Sequence, residues 1–376
     1  MSSLPTTQKA VALPAKRTPL IQISSPVVAP AAGEILVKVH WTASTPLDLH
    51  RADGGLLIPS YPSLMGSGGA AGTVVQVGPS GDLKGLKVGD KVMVFAFHGG
   101  VEANHQEYIT IPAYLASRIP GSLSMEQAVT IPVNLVTAFH TITRDLDLEL
   151  PWPIPQGGWR PAAADEPILV WGGSSSVGIF VIQVLRHWGY TNILVTASSR
   201  HHEYLRSIGA TAVWDYTKPG VVAAILDHVK GRSEPQIPSI IDCIGSVKGT
   251  LEPLSKIAQK GTKVAIMLPV IIKDATEDEE PEYEMDVSKV LVGQWAEGVI
   301  PRGVRTHFYL QNEFFKEHLQ PEIIPALVEQ GVVHPNNYRV VEGKDLVERA
   351  QNALDLLRAR AVSGERLIFR VAEEGN

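Results

Sequence analysis

A glycine- and serine-rich stretch in the middle of the chain has the residue types of a phosphate-binding turn. It reads GGSSSVG, from Gly172 to Gly178, and it lies between the apolar run PILVW and the stretch VGIFVIQVLRHWGY. Glycines allow a tight turn and a close approach of the backbone to a pyrophosphate, and the helix behind it adds free N–H groups and a positive dipole end. The stretch therefore predicts a dinucleotide-binding turn between a strand and a helix.

The turn follows the G-x-G-x-x-G pattern of dinucleotide sites with one departure. Gly173 and Gly178 take the outer glycine positions, and Ser175 replaces the middle glycine. A serine is small enough for this position, and its hydroxyl is expected to donate to phosphate. The alternative is a plain tight turn in an α/β sheet, because the motif alone is weakly specific. The residues assigned to the cofactor here are Gly172, Gly173, Ser174, Ser175, Ser176, Val177 and Gly178.

The next apolar run, NILVTASS, ends in hydroxyl and cationic residues where an NAD site would carry a carboxylate. An Asp or Glu at this point accepts a hydrogen bond from the ribose 2′-hydroxyl of NAD. The chain has Ser198, Ser199 and Arg200 instead, and Tyr216 follows the next predicted strand. Such donors suit a 2′-phosphate, so the pattern favours NADPH over NADH. Alternatively, Arg200 is a solvated residue at the start of a helix and does not contact the cofactor.

The elements around these residues predict an α/β protein with two kinds of domain. Up to about residue 120, short β-like runs alternate with Gly, Pro, Asp and Ser, as in a barrel or sandwich. The stretch SMEQAVTIPVNLVTAFHTI predicts a helix capped by Ser124. From PILVWGG onward, strand and helix patterns alternate, which predicts a doubly wound parallel sheet of the Rossmann type. The acidic stretch DATEDEEPEYEMD is expected to be a solvated loop.

Length and composition exclude several classes of protein. A chain of 376 residues suits two domains, and a net charge of −6 gives no basic field for nucleic acid. Cys243 is the one cysteine, which excludes a disulfide framework and a thiolate zinc cluster. No apolar run reaches the roughly 20 residues of a membrane helix, and the N-terminal stretch lacks the apolar core of a signal peptide. We therefore expect a cytoplasmic protein.

The order of these parts resembles the medium-chain dehydrogenase/reductase superfamily over nearly the whole chain. The resemblance rests on the β-rich N-terminal part and on the motifs VGDKV, NLVTAFHTI, GGSSSVG and DCIG. Within the superfamily, the chain is most similar to zinc-independent fungal reductases, including trans-acting enoyl reductases of polyketide pathways, and to quinone-oxidoreductase-like enzymes. The resemblance implies a GroES-like catalytic domain over residues 1–130, completed by about 310–376, and a Rossmann NADPH-binding domain over 131–309.

The resemblance also implies further cofactor contacts on the nicotinamide side. These residues are Pro46, Asn134, Thr137, Cys243, Ile244, Gly245, Met267 and Leu268. Alternatively, each of these residues packs in the protein interior without contacting a cofactor. Thr137 lies in the middle of a predicted helix, where its hydroxyl would bond to its own backbone. Cys243 can instead act as a small, buried hydrophobic residue.

The positions that bind zinc in other members of the superfamily lack metal ligands. Ser44 or Thr45 lies near the position of the first Cys ligand, and Ser67-Gly68 lies where His-Glu would be. Hydroxyls and glycine do not form a tetrahedral zinc site. His98 and His105 are the best remaining pair, but they have no Cys partner and are expected to be polar residues of a surface or cleft. We predict no bound metal.

The absence of zinc ligands from the sequence affects which substrates the chain is expected to reduce. Without a Lewis acid, reduction of an isolated carbonyl loses oxyanion stabilisation. A conjugated alkene accepts hydride at its β-carbon, and a hydrogen bond can hold the charge that moves to the carbonyl oxygen. The sequence therefore predicts an NADPH-dependent reductase of activated C=C bonds in a small molecule. The alternatives are a quinone or carbonyl reductase and, in a different class, a non-catalytic nucleotide- or partner-binding module.

No motif identifies the acid that protonates the α-carbon after hydride addition. The candidates are Asp48, His50 and Tyr61, in the stretch TPLDLHRADGGLLIPSYPS. Alternatively, Asp48 caps a helix and His50 is a solvated side chain. Water can serve as the proton donor in place of all three residues. Beyond a small-molecule substrate, the expected partners are a polyketide-pathway protein or a second copy of the chain.

Overall fold

The computed structural model describes residues 4–371 of the chain. Two compact units are present. Unit 1 comprises Met1–Val133, Ala275–Glu280 and Leu310–Asn376, and unit 2 comprises Asn134–Asp274 and Pro281–Tyr309. The sequence prediction assigns residues 275–280 to the Rossmann range, whereas their contacts place them in unit 1. The outermost residues of the predicted ranges, 1–3 and 372–376, lie outside the described residues.

The elements follow one another along the chain in three groups. The first group is β1 (Thr7–Leu13), β2 (Ile21–Pro26), β3 (Glu34–Ala43), α1 (Pro46–Gly54), β4 (Ser63–Leu64), β5 (Ala70–Val77), β6 (Lys91–Val94), β7 (Tyr108–Pro112), β8 (Ala116–Arg118), α2 (Met125–Ala128) and α3 (Pro132–His140). The second is β9 (Ile168–Trp171), α4 (Ser176–His187), β10 (Ile193–Thr196), α5 (His202–Ser207), β11 (Ala212–Trp214), α6 (Val221–His228), β12 (Ser239–Asp242), α7 (Glu252–Ser255), β13 (Lys263–Met267), β14 (Val270–Lys273), β15 (Glu282–Glu284) and β16 (Ile300–Val304). The third is α8 (Glu313–His318), α9 (Ile324–Glu329), β17 (Tyr338–Val340), α10 (Leu346–Arg358) and β18 (Arg366–Arg370).

Unit 1 is rich in β-structure, and both ends of the described chain contribute to it. Its larger sheet runs in the order β17-β18-β3-β5-β6-β8, with β7 also paired to β3. Strand β18 lies antiparallel to β3, with Ile368 opposite Ala43. Strand β3 carries buried apolar residues such as Ile35, Val37 and Val39, which alternate along it and form part of the core. The C-terminal part of the chain therefore completes the N-terminal sheet.

The single helix predicted after Ser124 is wrong, because two helices form there. Ser124 does cap the first, α2: its Oγ accepts from the backbone N–H of Gln127 at 3.3 Å. The helix ends at Ala128, and α3 begins at Pro132. Proline disfavours helical geometry in the residue before it and suits the first position of a new helix, which accounts for the break.

Unit 2 is built on a parallel sheet of six strands in the order β11-β10-β9-β12-β13-β16. Each neighbouring pair is parallel. Counted from β9, the order is 3-2-1-4-5-6, which is the doubly wound arrangement of dinucleotide-binding sheets. The predicted Rossmann sheet is therefore confirmed. In this order the direction of winding reverses between β9 and β12.

The acidic stretch from residue 274 to 286 is more ordered than a solvated loop. Its side chains from 276 to 280 are exposed, as expected. However, the Arg17 guanidinium donates to the backbone carbonyls of Thr276, Glu277 and Glu279 at 2.9, 2.6 and 2.8 Å. Residues Glu282–Glu284 form β15, which pairs with β14. Across residues 4–371, no helix is both long and apolar enough to span a membrane.

Candidate dinucleotide-binding site

The predicted cofactor residues of unit 2 fall at one edge of its parallel sheet. Residues 172–178 follow β9, 198–200 follow β10, Tyr216 lies two residues beyond β11, 243–245 follow β12, and Met267 and Leu268 lie at the end of β13. These are the carboxyl ends of parallel strands, and ligands of such sheets bind at this edge where the winding reverses. The turn after β9 and the loop after β12 flank that reversal.

Two glycines of the turn allow contacts that a larger residue would block. A Cβ on Gly173 would lie 2.2 Å from Cγ1 of Val195 in β10. A Cβ on Gly178 would lie 2.7 Å from the carbonyl oxygen of Gly172, so helix α4 could not pack as closely on the turn. These contacts account for glycine at both outer positions of the motif. The backbone of the turn and the N-terminus of α4 are therefore suited to a pyrophosphate.

Ser175, in place of the middle glycine, caps the helix that follows the turn. It is the N-cap of α4, and its Oγ accepts from the backbone N–H of Gly178 at 3.0 Å. It also hydrogen-bonds with the thiol of Cys243. Accepting from Gly178 stabilises the start of the helix and does not use the O–H of Ser175, so its donation to phosphate stays a prediction.

Hydroxyl and guanidinium groups gather after β10 and β11. The Ser198 Oγ lies 3.4 Å from the Tyr216 hydroxyl, so the two loops meet at these side chains. Ser199 and Arg200, the next two residues along the chain from Ser198, are exposed, and the Arg200 Nε donates to the His201 ring at 3.2 Å. The structure therefore places the four predicted donors on two loops that meet at Ser198 and Tyr216.

Asp215 adds a carboxylate that the sequence argument missed. Its Oδ2 accepts from the Ser199 N–H at 3.3 Å, and its Oδ1 accepts from the Thr217 hydroxyl and N–H at 2.7 and 2.9 Å. The hydrogen bonds from Thr217 and Ser199 lower the pKa of Asp215 to about 2. The end of β10 indeed lacks an acid, but the neighbouring strand supplies an ionised one to the same loop. The pairing of β10 with β11 brings it there, which no local pattern of the sequence shows.

Helix α3 contributes a buried amide without a partner. Among the described side chains, Nδ2 of Asn134 is one of the buried atoms that have no hydrogen-bond partner, and the residue is 7% exposed. Thr137, one helical turn later, hydrogen-bonds through Oγ1 to Oγ1 of Thr306 at 2.9 Å. Buried donors are nearly always satisfied in folded proteins. An amide left without a partner is consistent with a polar group of a bound ligand at this point.

Cys243 has the properties of a packing residue. Burial raises the pKa of its thiol to about 12, which keeps the thiol neutral at physiological pH. A nucleophilic cysteine needs a lowered pKa. The structure therefore favours the alternative of a small, unreactive side chain at the end of β12.

In unit 1, Asp48 is tied into the fold rather than held ready as an acid. It is fully buried at the first turn of α1. Its carboxylate accepts from the N–H of Thr45 at 2.9 Å, from the N–H and hydroxyl of Ser67 at 3.1 and 2.9 Å, and from the hydroxyl of Ser44 at 3.3 Å. Asp48 thus caps the helix and joins it to the segment at Ser67, as in the alternative reading. Pro46, the first residue of α1, also lies in unit 1.

The other two candidate acids differ in exposure. His50 is buried rather than solvated, and burial lowers its pKa to about 4 despite the nearby carboxylates of Asp48 and Asp53. It is therefore neutral at pH 7. Tyr61 is 39% exposed, in the segment between α1 and β4. Neither residue has a geometry that assigns it a catalytic role.

His98 and His105 do not form a pair. His98 lies at the surface and bonds through Nδ1 to Glu102 at 2.7 Å. His105 is almost completely buried, with its ring centroid 4.9 Å from that of Phe369, and burial lowers its pKa. The expectation that His105 lies at a surface or in a cleft is wrong, because its side chain is buried against Phe369 of β18.

The residues that the sequence resemblance assigns to zinc-ligand positions carry hydroxyls, except for a glycine that has no room for a side chain. A Cβ on Gly68 would lie 1.8 Å from the carbonyl oxygen of Ala43. Ser44, Thr45 and Ser67 surround the carboxylate of Asp48, as described above. In the described part of the chain, no three His, Cys, Asp or Glu side chains group in a way that could hold a metal ion.

Comparisons with known proteins agree with this architecture. Residues 31–139 match the family model of the alcohol dehydrogenase GroES-like domain, and residues 176–279 match that of zinc-binding dehydrogenases. The chain is 35% identical to the dehydrogenase pigH of Monascus ruber over 237 residues, which cover 60% of this chain and 62% of that relative. It is 27% identical to the trans-enoyl reductase himH of Aspergillus japonicus over 354 residues, which cover 90% of both chains.

A solved structure shares the fold at low sequence identity. The quinone oxidoreductase of Escherichia coli, crystallised with NADPH, aligns with a TM-score of 0.70 at 18% identity. The alignment covers 96% of this chain and 99% of that one. The β-rich unit and the doubly wound unit both belong to the common fold.

Proposed function

Because this chain belongs to the medium-chain dehydrogenase/reductase superfamily, we propose that it is an NADPH-dependent reductase of activated C=C bonds, an enoyl or enone reductase. The observation that carries this proposal is the replacement of the zinc ligands by hydroxyls and a closely packed Gly68. The name of a relative that matches 90% of the chain, a trans-enoyl reductase, supports the same reaction class. At the coarser level, the chain is an oxidoreductase of this superfamily.

The choice of NADPH rests on the loops after β10 and β11. Ser198, Ser199, Arg200 and Tyr216 offer hydroxyls and a guanidinium to a 2′-phosphate. The carboxylate of Asp215 does not by itself select NADH, because it already accepts hydrogen bonds from Ser199 and Thr217. A ribose 2′-hydroxyl would have to compete with those donors. The charges of Arg200 and Asp215 cancel, so the preference for the phosphorylated cofactor rests on the exposed guanidinium and hydroxyl donors.

The protein's own groups hold and orient the reactants. When bound, NADPH supplies the hydride that adds to the β-carbon of a conjugated substrate. The glycine-rich turn and the N-terminus of α4 bind the pyrophosphate, and the buried amide of Asn134 offers a donor to a polar group of the bound cofactor. The carboxylate of Asp48 is fully engaged and His50 is neutral, so water is the proposed source of the proton at the α-carbon.

A substrate panel tests this function. We expect enones and enals to oxidise NADPH in a saturable manner and saturated ketones and aldehydes to be poor, because only a conjugated system delocalises the developing charge. The measurement is the loss of NADPH absorbance with each compound. Turnover restricted to quinones or saturated carbonyls would favour the alternative oxidoreductase activities. Binding of NADPH without turnover of any compound would favour a non-catalytic module.

Removal of metal ions should leave activity unchanged. The residues at the zinc positions provide no ligand set, so dialysis against EDTA is expected to change neither the rate with an enone nor the melting temperature. Metal analysis of the dialysed protein gives the matching control. Stoichiometric zinc whose removal abolishes turnover would contradict the metal-free reaction.

A further inference from the structure

Asp242 is a buried carboxylate at the reversal point of the parallel sheet that has no role in the proposed chemistry. It is the last residue of β12 and is completely buried. Its Oδ1 accepts from the backbone N–H groups of Ile244 and Gly245 at 3.0 and 3.2 Å. Its Oδ2 accepts from the Thr250 hydroxyl at 2.7 Å. A single side chain therefore folds the loop after β12 back on itself.

This loop forms one side of the glycine-rich turn. A Cβ on Gly172, the first residue of the turn, would lie 2.9 Å from Cγ1 of Ile244. The Cys243 N–H donates to the carbonyl of Trp171 at 3.0 Å, and the Cys243 thiol hydrogen-bonds with Ser175. The position of the loop is thus coupled to the backbone that is proposed to bind pyrophosphate.

We propose that Asp242 is a positioning residue for dinucleotide binding, whose ionised carboxylate holds Ile244 and Gly245 against the glycine-rich turn and whose protonation weakens cofactor binding. The inference rests on the proposed function, because it assumes a dinucleotide at this turn. A protonated carboxyl group has one fewer acceptor for the donors that converge on it. The loop then loses part of the hydrogen bonding that orders it.

The surroundings of Asp242 place its titration near neutral pH. Burial raises its pKa to about 6, although the hydrogen bonds from Thr250, Ile244 and Gly245 oppose that rise. On the two flanking strands, Asp242 pairs with Trp171 and Ile266, and neither of these side chains ionises. The adjacent ionisable group is the Cys243 thiol, whose pKa burial raises to about 12, so it stays neutral. Asp242 therefore titrates without a counter-charge from these neighbours.

The sign of the pH effect follows from linkage. Cofactor that binds the ionised form must lower the pKa of Asp242, so affinity falls as the pH drops through the value in the free protein. At pH 5, one unit below a pKa of about 6, roughly one molecule in ten is ionised. The inference therefore predicts NADPH binding about tenfold weaker at pH 5 than at pH 7.5, from this group alone.

The Asp242→Asn variant provides the matched control. Asparagine has nearly the same shape and does not titrate, and its amide nitrogen, like a protonated carboxyl oxygen, cannot accept from the Thr250 hydroxyl. We therefore expect the variant to bind NADPH at every pH about as weakly as the wild type does at pH 5. NADPH dissociation constants are measured for both proteins from pH 5 to 7.5. The 2′-phosphate of NADPH also titrates near pH 6. Titration of that phosphate affects both proteins equally, because both bind the same ligand. We therefore expect the wild type to lose roughly tenfold more NADPH affinity than Asp242→Asn between pH 7.5 and pH 5. Superimposable profiles would overturn the inference.

The Thr250→Val variant tests the same network from the other side. It removes a hydrogen bond that lowers the pKa of Asp242, so the midpoint of the pH profile should move to higher pH. An unchanged midpoint in the folded variant would also overturn the inference. Failure of the wild type to bind NADPH or NADH at any pH would overturn the proposed function itself, whereas binding with a wild-type profile identical to that of Asp242→Asn would overturn the inference alone.

Discussion

Replacing Arg200 with alanine should weaken NADPH binding by about tenfold or more and leave NADH binding nearly unchanged. Arg200 is exposed after β10, two residues along the chain from Ser198, whose hydroxyl lies 3.4 Å from that of Tyr216. A hydrogen bond to a charged group contributes about 1.5–3 kcal/mol, and about 1.4 kcal/mol corresponds to a tenfold change in affinity. NADH has no 2′-phosphate, so it loses no such bond.

Titration calorimetry with both cofactors measures this selectivity. Arg206→Ala is a suitable control, because it removes an exposed arginine from the last turn of α5 in the same unit. The control should bind both cofactors as the wild type does. Equal losses of NADPH and NADH affinity in Arg200→Ala would contradict the assignment of the 2′-phosphate site.

Replacing Asp48 with alanine should lower the free energy of unfolding by about 3–5 kcal/mol, because it breaks a buried polar network. The donors from Thr45 and Ser67 would lose their acceptor. The guanidinium of Arg366, which is buried and donates to the Gly68 carbonyl at 2.7 Å, would lose the favourable charge of the carboxylate. Burial lowers the pKa of Arg366 to about 10, and the carboxylate of Asp48 counters this effect.

Urea unfolding at pH 7 measures the loss. Glu329→Ala, at an exposed position of unit 1, is expected to change stability by no more than about 0.5 kcal/mol. An Asp48→Ala protein of unchanged stability that fails to turn over an enone would contradict the structural role. That outcome would instead support Asp48 as the catalytic acid.

The parts of the site that follow from local spacing are visible in the sequence. The turn from Gly172 to Gly178 is recognised because the strand, the glycines and the helix are adjacent in the chain, and each contributes its own pattern. The parallel sheet follows from the alternation of apolar runs and helical patterns. The break between α2 and α3 has an equally local signal in Pro132, which the apolar spacing across it obscures.

The parts that depend on tertiary contacts are not visible in this way. His105 lies in the polar stretch NHQEY, yet it packs against Phe369 from the far end of the chain. Asp215 approaches Ser199 only because β11 lies beside β10. The burial of His50 and the network around Asp48 likewise join segments that are separated in sequence. No periodicity or motif encodes such pairings, so only the folded structure reveals them.

Transfer of deuterium from labelled NADPH to an enone tests the central claim most directly. Conjugate reduction places the label on the β-carbon of the product, and a parallel reaction in deuterated water places solvent deuterium on the α-carbon. Nuclear magnetic resonance of the product locates both. We predict this pattern irrespective of which group donates the proton. Label on the carbinol carbon, the product of carbonyl reduction, would contradict it.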